Sequence, residues 1–362
     1  MATNLKKISK VVQTCRQAAG HYDTVWPRVL TRVVRLKFRE RFRPKESFLW
    51  GLADPRLPQA EIDKVVSRSR LYRLQAVHNP MSLSYLTEDK AVFYSYCSGA
   101  GIEVPTLHAI YQPSGGWACG TTSEARTIAG RDDWTRYFES EAPRSFVIKP
   151  SKGVYARGLM VLTRSEDGKE LVSSSGRSRD VSEILDEMSA DSRYDTYIVQ
   201  DKLENHAELQ AMSGSKALQT VRVVTMVDAD RRPRCLFACA KVINSEQLSD
   251  NFDYGTSGNL LADVDLDTGR LRNVMGKHES GFGLQEHEAH PKTGVVFSDV
   301  TLPFWPETRR LAEEAALKFL PLRTIGWDIA ITAEGPSVVE GNVWWDALHN
   351  AHRLMPEYLA TF

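Results

Sequence analysis

Hydrophobic positions along this 362-residue chain recur at two different periods. Leu30, Val33, Val34, Phe38 and Phe42 fall at helical spacing within a strongly basic stretch, predicting an amphipathic helix there. Residues 60–77 read as a second helical stretch and residues 89–98 as another, closed by Gly99 and Gly101. Pro44, Pro55 and Pro58 make residues 44–60 a connector, Asn79-Pro80 marks a turn, and Val104-Pro105 opens an extended segment. Beyond residue 145 the apolar runs become short. SFVIKP (145–150), GLMVLT (158–163), TYIVQD (196–201), TVRVVTMV (220–227) and CLFACAKVI (235–243) all read as strands. No internal repeat and no low-complexity tract interrupts this order.

The segment GWDIAITAEGPSVVEGN (326–342) carries the most chemistry. Its apolar runs at 327–332 and 337–340 flank Ala333-Glu334-Gly335-Pro336, which predicts a β-hairpin. With the turn centred on Glu334, Asp328 faces Glu340, and Asn342 shares the face of Glu340 two residues away. Directly opposed side chains lie about 4.5–5.5 Å apart, and like charges there are destabilising. Two carboxylates and an amide held together suggest a hard divalent cation, Mg²⁺, with phosphate oxygens completing its shell. A solvent-facing hairpin with an incidental acid pair is the other reading.

Composition narrows the field. The apolar share of 42% and charged share of 25% are those of a globular protein. No run approaches the ~18 apolar residues of a membrane span, and no apolar segment follows Lys6, Lys7 and Lys10 as a secretory leader would require. Cys15, Cys97, Cys119, Cys235 and Cys239 are scattered without a CxxC pair, which suits reduced thiols and a cytoplasmic setting. The net charge of zero conceals +10 over residues 1–45, balanced by −10 over the rest. That basic region, with Arg32, Arg35, Arg39, Arg41 and Arg43 on its helix, has two readings. It could contact an anionic membrane face or an acidic partner, or pack on the protein's own acidic body. P-loop, dinucleotide-fold, serine-hydrolase and zincin motifs are absent, and His287-Glu288-Ala289-His290 has no helical metal spacing.

Several cations fall on the predicted strands. Lys149 ends the first, and a loop with Gly153 and Gly158, flanked by Lys152 and Arg157, could fold over a polyphosphate. Arg222 shares a face with Val224 and Met226, and Lys241 shares one with Cys239 and Ile243. A cation on a half-buried face is costly without an anion. Each taken singly fits an ordinary salt bridge, whereas five together with the acidic hairpin point to a nucleoside triphosphate.

The order Lys90, Lys149 with its glycine loop, TYIVQD, Arg222, Lys241, Asp328 and Glu340-x-Asn342 resembles the ATP-grasp superfamily. More narrowly, ALQTVRVVT, DNFDYGTSGNLLADVD, AHPKTG, LPFW and the GWD…EGN ending are similar to the sugar-transfer-associated ATP-grasp family, over about residues 85–345. The resemblance implies an α+β fold, with two subdomains clasping ATP between antiparallel sheets. It divides the chain into a basic helical region (1–85), an N-terminal subdomain with the glycine loop (86–205) and a C-terminal subdomain with the metal site (206–362). It implies that Lys90 and Lys149 contact the α- and β-phosphates, and that the loop at 151–158, with Lys152, Gly153 and Arg157, covers them. Gln200, Asp201 and Leu203 would form the adenine hinge, Glu208 would bind the ribose, and Asp328, Glu340 and Asn342 would hold magnesium. Arg222 and Lys241 would stabilise the transferring group.

The superfamily's common reaction turns a carboxylate into an acyl phosphate with ATP. An amine then attacks, giving an amide, ADP and phosphate. The chain is therefore expected to be an ATP- and Mg²⁺-dependent carboxylate–amine ligase, acting on a sugar acid or amino acid and not on nucleic acid. A small-molecule or sugar kinase and a non-catalytic nucleotide-binding module tethered by the basic N-terminus are the alternatives. Residues 254–259 and 278–306, with Phe282, His287, Glu288 and Trp305, are the expected acceptor pocket. His278 and His290 are candidate bases that read better as structural.

Overall fold

The computed structural model describes residues 2–119, 125–153, 156–246 and 249–346. The chain opens with five helices: α1 (Ala2–His21), α2 (Trp26–Arg35), α3 (Pro44–Leu49), α4 (Gln59–Asp63) and α5 (Arg68–His78). Two more, α6 (Tyr85–Glu88) and α7 (Lys90–Gly99), lead into the sheets. Asp89 caps α7 by accepting from the backbone N–H of Ala91 at 3.1 Å, and Gly101, at φ +65°, follows its end.

The strands form two antiparallel sheets. Leu107–Gln112, Gly115–Ala118, Arg126–Ile128, Ser145–Pro150, Met160–Arg164, Glu170–Ser173, Ser178–Asp180 and Tyr197–Asp201 (β1–β8) lie in the order β3-β2-β1-β8-β4-β5-β6-β7. Helices α8 (Gly130–Arg136) and α9 (Val181–Ala190) supply Trp134, Ile184 and Leu185 to that sheet's core. After α10 (Ala207–Ser213) come Thr220–Val227, Pro233–Val242, Leu260–Val264, Leu271–Lys277, Leu284–Glu286, Thr324–Ile331 and Pro336–Asn342 (β9–β15). Their order is β13-β12-β11-β10-β9-β14-β15, and α11 (Trp305–Lys318) covers one face of this second sheet.

Helix α7, which precedes the first sheet in sequence, buries Phe93, Tyr94 and Cys97 in the core of the second, against Val223, Phe319 and Trp327. The second sheet is covered on its other face too. Val224 and Met226, on the Arg222 side of β9, pack with Leu236, Phe237 and Trp345 against Val66 and Leu71 of the N-terminal region. Leu49 similarly covers Cys239, Phe252 and Leu261. The N-terminal helices are thus part of the sheet's core.

The buried stripe of α2 differs from the expected one. Val29, Arg32 and Val33 are buried and continue into Leu36, whereas Val34 is 44% and Phe38 73% exposed. Past Val33 the helix widens into a π-turn at Leu36–Glu40, which carries Phe38 out of the stripe, while Phe42 is buried again beyond it. Arg32 turns inward and donates to the carbonyls of Leu52 (3.2 Å) and Leu57 (2.5 Å), satisfying a buried cation with backbone oxygens. Among the described residues no helix is long and apolar enough to cross a membrane.

Candidate functional site

The hairpin β14–β15 pairs as the sequence predicts around its acidic residues. Gly326 faces Asn342, Trp327 faces Gly341 and Asp328 faces Glu340; a bulge then shifts the register towards the turn, so that Ile329 meets Val338. Strand β9 pairs with the opposite edge of β14 and sets Arg222 beside Asp328, while β10 sets Cys239 beside Arg222. Residues opposed across antiparallel strands share a face, so Arg222, Asp328 and Glu340 form one transverse row. Lys241, two residues beyond Cys239 on β10, lies on the same face and reaches Asp328.

Each carboxylate in this row is paired with a cation. Arg222 clasps Asp328 with two hydrogen bonds, the longer at 2.7 Å, and Lys241 Nζ lies 3.0 Å from the same carboxylate. Lys90 Nζ caps Glu340 at 3.0 Å and donates to the carbonyl of Gly153 at 2.9 Å. The repulsion expected between Asp328 and Glu340 is therefore met by the protein's own cations. Burial alone would push the Asp328 carboxyl up, but Arg222 and Lys241 outweigh it and hold the group well below the usual carboxylate range. Arg222 is raised in turn: burial opposes its charge and Asp328 more than offsets this.

Lys149 differs from these pairs. It is 8% exposed, its Nζ donates to the Tyr94 hydroxyl at 3.1 Å and sits over that ring, and no carboxylate lies within 4.0 Å among the described residues. Burial first, and the Lys90 charge second, pull its amine down to about 7. The Glu340 charge opposes this shift without outweighing it.

These groups line a cleft of about 1090 Å³ between the two sheets. Lys90, Lys149, Lys152, Gly153, Arg157, Gln200, Asp201, Leu203, Arg222, Lys241, Asp328, Glu340 and Asn342 all reach its wall. Gly158 takes φ +74°, and a Cβ there would stand 2.9 Å from Pro150 Cγ, so the loop's return requires glycine. Val154 and Tyr155 of that loop, and the stretch beyond Asp346, lie outside the described residues. Gln200 is buried and its Oε1 takes no hydrogen bond among the described residues. The Asp201 carboxylate is engaged by His108 at 2.6 Å and accepts from the Thr106 N–H at 3.2 Å.

Some expectations are not met. Glu208 is exposed on the first turn of α10 and is absent from the cleft wall, where Lys216, Ala217 and Leu218 stand instead. The loop after β12 turns away: Phe282 packs with Tyr22 and Phe48 of the N-terminal helices. His290 is buried against the Ile243 carbonyl at 3.0 Å, His278 bonds Ser280, and neither faces the cleft. Trp305 is buried with its Nε1 on the Leu266 carbonyl. Tyr254, from the expected stretch 254–259, does reach the cleft wall, beside Phe252 and Asp250 and with Arg68, Tyr72 and Trp50 of the N-terminal helical region. No sequence motif marked Arg68 or Tyr72; only their packing against the second sheet brings them there.

Asp328, Glu340 and Asn342 are oxygen donors of the kind magnesium takes, although here Arg222 and Lys241 hold both Asp328 oxygens and Lys90 holds Glu340. Asn342 uses its amide nitrogen on the Gly326 carbonyl at 3.4 Å, which leaves its oxygen free beside Glu340. Among the described residues no three His, Cys, Asp or Glu side chains form a closed cage. Two carboxylates and one amide oxygen would leave the remaining positions to phosphate oxygens and water.

The sequence profile of the sugar-transfer associated ATP-grasp family matches residues 69–351, and the chain belongs to that family. A search of curated proteins returns no match. Among solved structures, D-alanine–D-alanine ligase from Helicobacter pylori is similar over 81% of this chain and 68% of its own, at 12% identity and a TM-score of 0.42. Biotin carboxylase from Campylobacter jejuni is similar over 75% and 43%, at 9% identity and a TM-score of 0.41. An ADP complex of N5-carboxyaminoimidazole ribonucleotide synthetase is similar over 80% and 53%, at 13% identity and a TM-score of 0.40. This chain spans about half the length of those last two proteins.

Proposed function

We propose that this chain is an ATP-dependent carboxylate–amine ligase acting through an acyl phosphate, on a sugar acid or an amino acid. The observation that carries the reading is the cleft itself, where Lys149 stands with Lys241 and the row Arg222, Asp328 and Glu340. Lys90 and Lys149 would hold the α- and β-phosphates, and the loop containing Lys152, Gly153 and Arg157 would exclude water from them. The hinge at Gln200, Asp201 and Leu203 would receive adenine. Asp328, Glu340 and Asn342 would hold Mg²⁺, which when bound neutralises phosphate charge. Arg222 and Lys241 would stabilise the γ-phosphoryl group as it moves to a carboxylate oxygen and ADP leaves. The amine nitrogen then bonds to the acyl carbon, phosphate departs, and the amine's proton passes to solvent. Phosphoryl transfer depends mainly on positioning and charge neutralisation, which such a site can provide.

A thermal-shift titration with Mg-ATP, run beside Mg²⁺ alone, tests the nucleotide reading. Ligand at about 100-fold over its dissociation constant stabilises a fold by roughly 2.7 kcal/mol. The shift should need both nucleotide and metal and fade in the Glu340→Gln, Asn342→Ala variant. Absence of any shift in the folded protein would end the ligase and kinase readings together. Product analysis separates those two, because a ligase releases free phosphate and a kinase does not. Glu340→Gln is expected to lower turnover by on the order of 10²-fold; near-wild-type turnover would rule out its metal role. Peripheral attachment through the exposed Val34 and Phe38 with their neighbouring arginines belongs to the same reading. It requires vesicle binding that weakens with salt and with Phe38→Ser.

A further inference from the structure

We infer that the N-terminal helical region builds the amine subsite of this cleft, with Asp346 receiving the ammonium group and the rings of Tyr72 and Trp344 flanking the body that carries it. The inference rests on the ligase reading and goes beyond it by naming where the nucleophile sits. Arg68, at the start of α5, organises the corner: its Nε lies 2.6 Å from the Tyr72 hydroxyl and 2.8 Å from Asp346 Oδ1, and its Nη1 donates to the Tyr254 hydroxyl at 2.9 Å. Asp346 Oδ1 is buried, and despite the nearby guanidinium it takes no aligned hydrogen bond among the described residues. Arg68 pairs with that oxygen by charge while its Nε hydrogen goes to Tyr72, so the carboxylate keeps acceptor capacity for a further donor. The Tyr72 and Trp344 rings pack on each other with centroids 5.2 Å apart at 47°, and Arg68 lies over the Tyr72 ring at 5.0 Å, so the pair forms one aromatic wall beside that carboxylate. An ammonium group over aromatic faces and against a carboxylate is a favourable combination.

The subsite is also placed for chemistry. Asp346 follows Asn342 by four residues, all of these side chains line one cleft, and Asp346 and Arg222 are close enough to influence each other's charge. An amine held there is near the end of the cleft where Arg222 would steady the transferring group. The chemical class is a primary amine on a ring or a short apolar body, such as an amino sugar or an amino-acid amide.

Calorimetric titration of the protein saturated with Mg²⁺ and a non-hydrolysable ATP analogue provides the test, with D-glucosamine and L-alaninamide as probes and their N-acetyl derivatives as controls. At least one amine should bind while its acetylated control does not. Asp346→Asn should weaken that binding by about 10- to 100-fold, the scale of one charge-assisted hydrogen bond, with analogue affinity unchanged. Tyr72→Leu should weaken it as well, and retained analogue binding certifies that both variants fold. Amine binding unaffected by Asp346→Asn, equal binding of amine and control, or no binding by any amine overturns the subsite alone. Loss of analogue binding in the unmodified protein overturns the nucleotide reading and the subsite with it.

Discussion

Lys149 shows how one side chain can couple nucleotide binding to pH. Its amine is charged in the unfolded chain up to the ordinary lysine range, but in the fold burial and Lys90 lower it to about 7. Between those two values the unfolded state binds more protons, so the free protein gains stability as pH rises through that window. In the proposed nucleotide complex, phosphate oxygens beside the amine would favour its charged form, so binding would take up a proton over the same window. Mg-ATP affinity is therefore expected to fall as pH rises above about 7, by up to tenfold per unit. Calorimetry in buffers of different ionisation enthalpy should register proton uptake at pH 8, and Lys149→Met should abolish it. Gly326 makes a second residue-scale case, being paired with Asn342 across the hairpin. A Cβ there would meet Trp345 Cβ at 2.6 Å and Arg222 Cδ at 3.1 Å. Gly326→Ala should destabilise by roughly 1–3 kcal/mol through overpacking and push Arg222 off Asp328. A lowered Tm together with lowered turnover would register both effects.

At the scale of elements, the hairpin works because its neighbours complete it. Alternation put Asp328, Glu340 and Asn342 in one place from sequence alone, since side chains on a strand repeat every two residues. It could not show that β9 borders β14 and sets Arg222 against Asp328, because strand order is a tertiary choice. Helix α5 is the other decisive element. Asn79, just past its end, donates to the Thr324 carbonyl at 2.8 Å and accepts from the N–H groups of Arg323 (2.9 Å) and Thr324 (3.0 Å). Gln75 donates to the Trp345 carbonyl at 2.6 Å. Asn79→Ala would orphan buried backbone groups at about 1–3 kcal/mol each, so Tm should fall by several degrees in differential scanning calorimetry. An unchanged Tm would mean that α5 is held by its apolar contacts alone.

Over the whole molecule, the basic N-terminal region is structural as well as charged. It supplies Leu49, Val66 and Leu71 to one face of the second sheet and packs Phe48 against Phe282. Removing residues 1–45 should therefore lower Tm and promote aggregation by uncovering Phe48 and Phe282; a soluble truncated protein of unchanged Tm would mark the region as a mere appendage. The sequence by itself determined much of the local chemistry: five of the strands and the hairpin with its register at Asp328–Glu340, the helix at 89–98 with its glycine stop, and the family. Those features depend on neighbours a few residues apart, where pleat, capping and turn geometry dominate. What lay beyond it was set by contacts across long separations. The pairing of Arg222 and Lys241 with Asp328, the turning inward of Arg32, the removal of Phe282 and Trp305 from the cleft, and the arrival of Arg68 and Tyr72 all belong there. A side chain's period states which face it occupies, but only the packed sheet decides what that face meets.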